Sequence, residues 1–225
     1  MAQFLLSCAQ TRQLPEDAVP EVAFAGRSNA GKSSALNALC SQKQLARVSK
    51  TPGRTQLINL FEIPGARLVD LPGYGYAQVP GEMRRDWGKL IGAYMETRSN
   101  LTGVVLIMDI RHPLTDFDLQ MLDWAAGRQM RMHLLLTKAD KLGFGAAKNT
   151  LLKVQKAIVE RAQPETTTAL FSAVSRQGLD PARAEEALRR ICTAGDDHRV
   201  DITLRSGPDH SMDALLDLVQ RVRLE

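Results

Sequence analysis

Short apolar runs alternate with amphipathic segments along most of this chain. Six runs have the length of strands: 22–25, 57–63, 66–71, 103–108, 132–136 and 168–171. Five segments carry apolar residues at helical spacing: 32–41, 82–98, 116–128, 146–163 and 181–194. This order predicts an α/β fold, a mostly parallel six-stranded sheet with helices on both faces. Pro64-Gly65 predicts a hairpin, so one strand at the edge of the sheet should be antiparallel.

The pattern changes after Gly195. Val200, Ile202 and Leu204 alternate with polar residues, and 211–222 has one apolar face. We therefore interpret residues 1–195 as one domain and 196–225 as a C-terminal extension of unknown role.

The first ten residues, MAQFLLSCAQ, lack the features of a targeting signal. No basic residue precedes Leu5-Leu6, and the apolar run is too short for a signal peptide. No stretch approaches the ~20 apolar residues that span a bilayer. Cys8, Cys40 and Cys192 show no metal-ligand spacing. We expect a cytoplasmic protein that is not bound to a membrane.

Charge is distributed unevenly along the 225 residues. The net charge is +4, yet residues 26–61 carry six basic residues and no acidic one, so the rest sums to −2. With 44% hydrophobic and 24% charged residues, the composition excludes a disordered or fibrous chain. Local positive charge attracts phosphate, either of a nucleotide or of a nucleic acid.

A phosphate-binding motif follows the first apolar run. It reads Gly26-Arg27-Ser28-Asn29-Ala30-Gly31-Lys32-Ser33, with Ser34 next, and it fits G-x-x-x-x-G-K-[ST]. Backbone N–H groups of such a loop wrap phosphates at a helix N-terminus. We expect Lys32 to reach the β- and γ-phosphates and Ser33 to ligate Mg²⁺.

A second motif, Asp70-Leu71-Pro72-Gly73, ends the third apolar run. Its acid can hold Mg²⁺ through water, and the Gly73 N–H can meet the γ-phosphate. The alternative is an ordinary turn. The position after a phosphate-binding loop favours the nucleotide role.

Two further segments are candidates for recognition of a base. The carboxylate in Thr137-Lys138-Ala139-Asp140 can accept hydrogen bonds from guanine N1–H and N2, donors that adenine lacks. The stem of Lys138 can cover one face of the base. In Phe171-Ser172-Ala173, a backbone N–H can point at guanine O6. The alternative for Lys138 and Asp140 is a solvated charged loop.

Together these motifs resemble those of translation-factor-class GTPases. The segments 50–59 (KTPGRTQLIN) and 70–77 (DLPGYGYA) narrow the resemblance to the EngB (YihA/YsxC) family, within the TrmE-Era-EngA-EngB-septin-like P-loop GTPases. It covers roughly residues 5–195. The resemblance implies GTP and GDP binding, a role in assembly of the large ribosomal subunit, and links to cell division and septation.

The resemblance also assigns the switch I segment. It makes Thr55 the threonine that ligates Mg²⁺, with Thr51 as the competing candidate. The segment expected over the nucleotide is Gly53, Arg54, Thr55, Gln56 and Leu57. Thr137 stands where many GTPases have Asn.

Tyr74 stands where Ras-like enzymes have a glutamine that orients the attacking water, so we predict slow intrinsic hydrolysis. Lys32, Thr55 and Gly73 are the expected catalytic groups. Asn29 raises the hypothesis of a K⁺ ion in the site. We expect a monomer.

A partner surface is predicted beside the site. Its basic residues are Lys43, Arg47, Lys50 and Arg54, and its candidate aromatics are Tyr76 and Trp87. Solvated charges are the alternative for the basic residues, and core packing is the alternative for the aromatics.

Two other functions compete with a GTPase switch. One is a ribosome- or RNA-binding module that holds nucleotide with negligible hydrolysis, and the other is a small-metabolite kinase, which the guanine motif disfavours.

Overall fold

The computed structural model describes residues 2–46, 57–74, 81–161 and 166–178, with the backbone alone at 81–87. These contain seven strands: β1 (Gln3–Cys8), β2 (Glu21–Gly26), β3 (Ile58–Ile63), β4 (Ala66–Asp70), β5 (Leu101–Asp109), β6 (Met132–Thr137) and β7 (Thr166–Leu170). They also contain four α-helices: α1 (Lys32–Leu39), α2 (Gly81–Thr97), α3 (Asp116–Gly127) and α4 (Phe144–Glu160). The predicted fold class is confirmed.

The strands form one sheet in the order β1-β3-β4-β2-β5-β6-β7. β3 runs antiparallel to both of its neighbours, whereas β2, β4, β5, β6 and β7 are mutually parallel. The predicted hairpin between β3 and β4 is therefore confirmed. The carboxyl ends of these parallel strands lie together, and we refer to this side of the sheet as the carboxyl edge.

Two details of the predicted sheet are wrong. The described sheet has seven strands rather than six, and the antiparallel strand β3 is covered by β1 instead of lying at the edge. β1 escaped prediction because its side chains do not alternate cleanly. Phe4 is 59% exposed while Cys8 is buried, and the pairing with β3 shifts register between Phe4 and Leu6.

Helices cover both faces of the sheet. α2, α3 and α4 pack on one face, where Tyr94, Leu122 and Val154 meet the apolar side chains of β5 and β6. α1 packs on the other face, where Leu36 belongs to the same buried cluster as Ile107. β5 is buried on both faces, as its continuous apolar run predicts.

A buried ionic network joins the amino ends of the strands. Glu21 is fully buried at the start of β2 and accepts hydrogen bonds from Arg98 and, at 2.8 Å, from the Tyr94 hydroxyl. Arg67 lies 3.9 Å from the same carboxylate and donates twice to Asp17, at 2.6 Å each. We call these five residues the amino-edge network. It ties the end of α2 to the first residue of β2.

Several predictions concern residues outside the described ranges. These are the helix at 181–194, the domain boundary at 195 and the extension 196–225. None of the helices that the structure describes is long and apolar enough to cross a membrane.

Candidate functional site

The phosphate-binding motif forms the turn between β2 and α1. Gly26 is the last residue of β2 and Lys32 is the first of α1. Asn29 and Gly31 have positive φ angles, 62° and 98°, and these left-handed residues turn the chain into the helix. The first N–H groups of a helix lack intrahelical partners. The loop therefore presents unpaired donors and a positive helix end at the carboxyl edge.

Lys32 and Asp70 form a buried ion pair at this edge. Lys32 is 8% exposed and Asp70 is 3% exposed. They meet because β2 and β4 pair in parallel, with Phe24 opposite Asp70. The carboxyl ends of the two strands are therefore neighbours. The structure thus brings together a cation and a carboxylate that the sequence analysis had assigned to phosphate and to Mg²⁺.

The segment after Asp70 runs along the phosphate-binding loop. The Ser28 N–H donates to the Tyr74 carbonyl at 2.8 Å, and the Tyr74 N–H donates to the Gly26 carbonyl at 3.3 Å. Gly73 lies so close to the loop that an added Cβ would be 3.1 Å from the Ser28 Cα. Any larger residue would force the two backbones apart, which explains glycine at this position. Leu71 and Pro72, which precede it, are buried.

The Tyr74 side chain is buried against α3. The ring stacks on Phe117, with ring centroids 5.3 Å apart. The hydroxyl donates to Asp118 Oδ1 at 2.6 Å. Burial raises the pKa of Tyr74 well above its ordinary value, and the Asp118 carboxylate raises it further. Sequence reasoning placed this residue beside the attacking water, but it did not foresee the phenol's partner.

The Thr137–Asp140 segment joins the phosphate-binding loop. The Thr137 hydroxyl contacts the carbonyl oxygens of Ala30 and, at 3.0 Å, of Met108. Lys138 has a φ of 59°, and its ammonium donates to the Asn29 carbonyl at 2.6 Å. The Lys138 stem therefore runs back across the loop, and the two motifs form one site.

Asp109 is a site residue that the sequence analysis missed. Its carboxylate accepts from the Lys138 ammonium at 2.8 Å and from two nitrogens of Arg111, at 2.9 and 2.6 Å. Burial raises the pKa of Asp109, but these hydrogen bonds more than offset it and hold the pKa well below its usual range. The sequence did contain a signal for this residue. Asp109 follows the apolar run of β5 in the same way that Asp70 comes at the end of β4.

Asp140 lies exposed at the rim, held by Ser172. The buried Ser172 hydroxyl donates to Asp140 Oδ1 at 2.6 Å, and Lys141 lies 3.2 Å from the other oxygen. The Ser172 hydrogen bond lowers the pKa of Asp140, so the side chain is ionised near neutral pH. A hydrogen bond of 3.0 Å from the Ala139 N–H to the Phe171 carbonyl joins these two loops. The predicted base-binding residues therefore lie together, with Ala173 exposed beside them.

The oxygen donors at the loop fit Mg²⁺. Asp70 offers a carboxylate and the half-buried Ser33 a hydroxyl, both of the hard type that this ion prefers. Within the described ranges, no three His, Cys, Asp or Glu residues cluster as metal ligands. A Mg²⁺ ion here would therefore complete its shell with phosphate oxygens and water.

Part of the predicted site lies outside the described residues. This part comprises Gly53, Arg54, Thr55 and Gln56 with Thr51, and Arg47, Lys50, Tyr76 and the Trp87 side chain. Leu57 is 37% exposed directly before β3, and Lys43 is exposed. Ser34 is half-buried in the first turn of α1.

The sequence profile of the 50S ribosome-binding GTPase family matches residues 21–138. This stretch is about half of the chain, and it runs from the start of β2 through the phosphate-binding loop to Lys138. The chain belongs to this family. Its described sheet is accordingly that of a P-loop GTPase, a GTP-binding domain.

Solved structures share this fold. A probable GTP-binding protein EngB is 19% identical, with a TM-score of 0.57 over 76% of this chain and 95% of its own. The cytosolic domain of the T. maritima FeoB iron transporter in a GDP form is 25% identical, with a TM-score of 0.50 over 83% and 67%. Toc33 from Arabidopsis thaliana, in complex with GDP and Mg²⁺, is 18% identical, with a TM-score of 0.51 over 70% and 72%.

Proposed function

We propose that this chain binds GTP and GDP at the carboxyl edge, hydrolyses GTP slowly when isolated, and acts as a nucleotide-dependent switch in assembly of the large ribosomal subunit. The observation that carries the proposal is the Lys138 ammonium, which bridges the Asn29 carbonyl and Asp109. It joins a phosphate pole at Lys32 to a base pole at Asp140. A ligand with a phosphate tail and a guanine head fits both poles.

The phosphate pole grips the tail through charge and backbone donors. We assign it the loop residues Gly26, Arg27, Ser28, Asn29, Ala30, Gly31, Lys32, Ser33 and Ser34, with Asp70, Leu71, Pro72 and Gly73. Lys32 leaves Asp70 for the phosphates, and a bound Mg²⁺ held by Ser33, Thr55 and, through water, Asp70 would neutralise charge on the transferred phosphate. The Gly73 N–H senses the terminal phosphate.

The base pole selects guanine. Asp140 accepts from the base, the Lys138 stem covers one face, and Thr137, Ala139, Phe171, Ser172 and Ala173 hold the two loops in place. An adenine base offers no donor to Asp140, so the carboxylate would lose its partners on binding.

The Asp140→Asn variant tests this pole. An amide presents a donor where the carboxylate accepted, so guanine affinity should fall by about 10²–10³-fold, as two hydrogen bonds to a charged group are lost. Xanthosine nucleotides, which carry an oxygen at position 2, should bind better than before. Titration with fluorescent GDP and XDP measures both. Unaltered preference for GDP over XDP would contradict the proposal.

Slow hydrolysis is supported by the Tyr74 side chain. Its phenol is engaged by Asp118, so this position does not supply a side chain to orient the attacking water. We expect single-turnover hydrolysis to be slow in the isolated protein and to rise when a partner completes the site. A rate already as fast as that of a partner-activated GTPase would contradict this expectation.

The same observation favours a second function. A ribosome- or RNA-binding module that holds nucleotide without appreciable hydrolysis would also keep Tyr74 buried. Multiple-turnover phosphate release with and without large subunits separates the two, because only the switch should release phosphate faster when subunits are present.

A potassium ion near Asn29 is part of the proposal. Asn29 is exposed at the loop, and its own backbone carbonyl accepts the hydrogen bond from Lys138. Hydrolysis should be faster in KCl than in NaCl at equal ionic strength, and equal rates would exclude the ion.

The ribosomal role extends the family assignment. Residues 1–195 would form an EngB-type GTPase domain acting as a monomer in the cytoplasm and needed for normal division and septation. Lys43, Arg47, Lys50 and Arg54 would form the electrostatic part of the docking surface. Loading the protein with a non-hydrolysable GTP analogue should retain immature large subunits on it, and loading it with GDP should not. Equal retention in both states would contradict a switch.

A further inference from the structure

Tyr74 connects three parts of the molecule. Its backbone exchanges hydrogen bonds with Ser28 and Gly26 of the phosphate-binding loop. It directly follows Gly73. Its hydroxyl reaches Asp118, in the first turn of α3. A single residue thus lies between the loop, the proposed phosphate sensor and a helix on the face of the sheet.

Asp118 is also part of the cap of α3. Its Oδ2 accepts from the Thr115 N–H at 2.8 Å and from the Thr115 hydroxyl at 2.7 Å, while Oδ1 takes the Tyr74 phenol. The carboxylate is 2% exposed. A buried carboxylate is stable only with its hydrogen bonds made. The phenol and the start of the helix therefore depend on the same side chain.

We propose that Tyr74 is a positioning residue: its bond to Asp118 holds the Gly73 N–H in place for the terminal phosphate of GTP and transmits that contact to the start of α3. The inference rests on the proposed function and deepens it. Gly73 cannot shift without moving Tyr74, since the two share a peptide bond. Tyr74 cannot shift without breaking its bonds to Ser28, Gly26 and Asp118.

Through this link, the nucleotide state would affect the first turn of α3, which lies at the surface. α3 begins at Asp116 beside the half-buried Thr115, and Phe117 in its first turn is 37% exposed while stacking on Tyr74. A change at Gly73 that displaces the phenol removes the Oδ1 partner from Asp118, which also caps the helix. The first turn of α3 should therefore differ between the GTP and GDP states.

The test compares Tyr74→Phe with a matched variant. Tyr94→Phe removes the same kind of bond, a buried hydroxyl donating to the buried Glu21, but in the amino-edge network. Both variants should lose similar thermal stability. Only Tyr74→Phe should raise the Kd of a non-hydrolysable GTP analogue. We expect a rise of about tenfold, because the Gly73 N–H would no longer be held in place to donate its hydrogen bond to the charged terminal phosphate. The Kd of GDP should change less than twofold in both.

A second measurement uses the unaltered protein. Hydrogen exchange of a peptide spanning 113–121, which contains the Leu119 N–H bonded to the Thr115 carbonyl, should differ between the GDP and analogue states. The difference should vanish in Tyr74→Phe and persist in Tyr94→Phe.

The outcomes separate this inference from the proposed function. A protein that binds neither nucleotide contradicts both. Binding with an unchanged analogue-to-GDP ratio in Tyr74→Phe, or the same change in Tyr94→Phe, overturns the positioning role alone. So does nucleotide-independent exchange at 113–121 in the unaltered protein.

Discussion

The two ends of the sheet hold buried charges in different ways. In the amino-edge network, Glu21 is satisfied entirely by the protein, through Arg98 and Tyr94 with Arg67 nearby. At the carboxyl edge, Asp70 pairs with Lys32 beside the left-handed turns of the phosphate-binding loop. Both ends bury a carboxylate against a cation, but the carboxyl edge also has the unpaired N–H groups at the start of α1.

This difference explains which end can exchange partners. The buried Glu21 carboxylate already accepts its hydrogen bonds from the protein, so we expect the amino-edge network to serve stability. In the proposed function the Lys32–Asp70 pair opens, because a phosphate replaces Asp70 as the partner of Lys32 and a metal ion replaces Lys32 as the partner of Asp70. The predictions below test this division between stability and binding.

The largest expected effect is on binding, in Lys32→Met. The variant keeps the stem but removes the ammonium, and two charge-assisted hydrogen bonds to phosphate contribute about 3–5 kcal/mol. GDP and GTP affinity should fall by about three orders of magnitude in fluorescent-nucleotide titrations. Lys156→Met, on the surface of α4 with its side chain 79% exposed, is the control and should bind normally.

Arg98→Met should affect stability instead. It leaves Glu21 buried without its main partner, which costs about 3 kcal/mol. Urea unfolding should show the loss, while the folded variant binds GDP with unchanged Kd. A large loss of affinity in the folded variant would show that the two edges are not independent.

His133 should make stability depend on pH. It is buried near the amino end of β6, where Nδ1 lies 2.8 Å from the Thr167 hydroxyl and Nε2 lacks a partner among the described residues. Burial lowers the pKa of His133 to about 4 from 6.5.

Because the unfolded chain binds this proton more readily, stability is full above about pH 6.5 and falls towards pH 4. The free energy of unfolding should drop by about 2 kcal/mol from pH 7 to pH 5. This part of the drop should be absent in His133→Gln. An identical pH dependence in both proteins would contradict the assignment.

The smallest effect is expected in Asp109→Asn. The amide holds the Lys138 ammonium more weakly, so the Kd values for GDP and GTP should both rise by about tenfold, the equivalent of one weakened charge-assisted hydrogen bond. An equal change for both nucleotides distinguishes this residue from Tyr74. Asp123→Asn, which alters an exposed ion pair with Arg161, should change neither Kd.

Local patterns predicted most of the elements that the structure describes. The bounds of β2, β4 and α3 agree with those predicted from the sequence to within one residue. They were predictable because burial of one face of a strand or helix makes apolar residues recur at a short, regular spacing. The phosphate-binding loop was predictable since its glycines and its lysine are neighbours in sequence. The prediction that Thr137–Asp140 contacts the base rested on the carboxyl ends of parallel strands sharing one edge, and the structure does place this segment against the phosphate-binding loop.

The remaining features depend on residues far apart in the chain. Ser7 meets Asn59 where β1 covers β3, Lys138 meets Asp109 across 29 positions, and Tyr74 meets Asp118 across 44. Periodicity carries no information about such partners. The sequence alone determined the alternation of strands and helices from β2 to β7 and the residues that form the phosphate-binding loop, since both arise from neighbouring residues. Only the tertiary structure decided that Tyr74 lies against α3, because packing between distant segments selects the rotamer and the partner of a buried side chain.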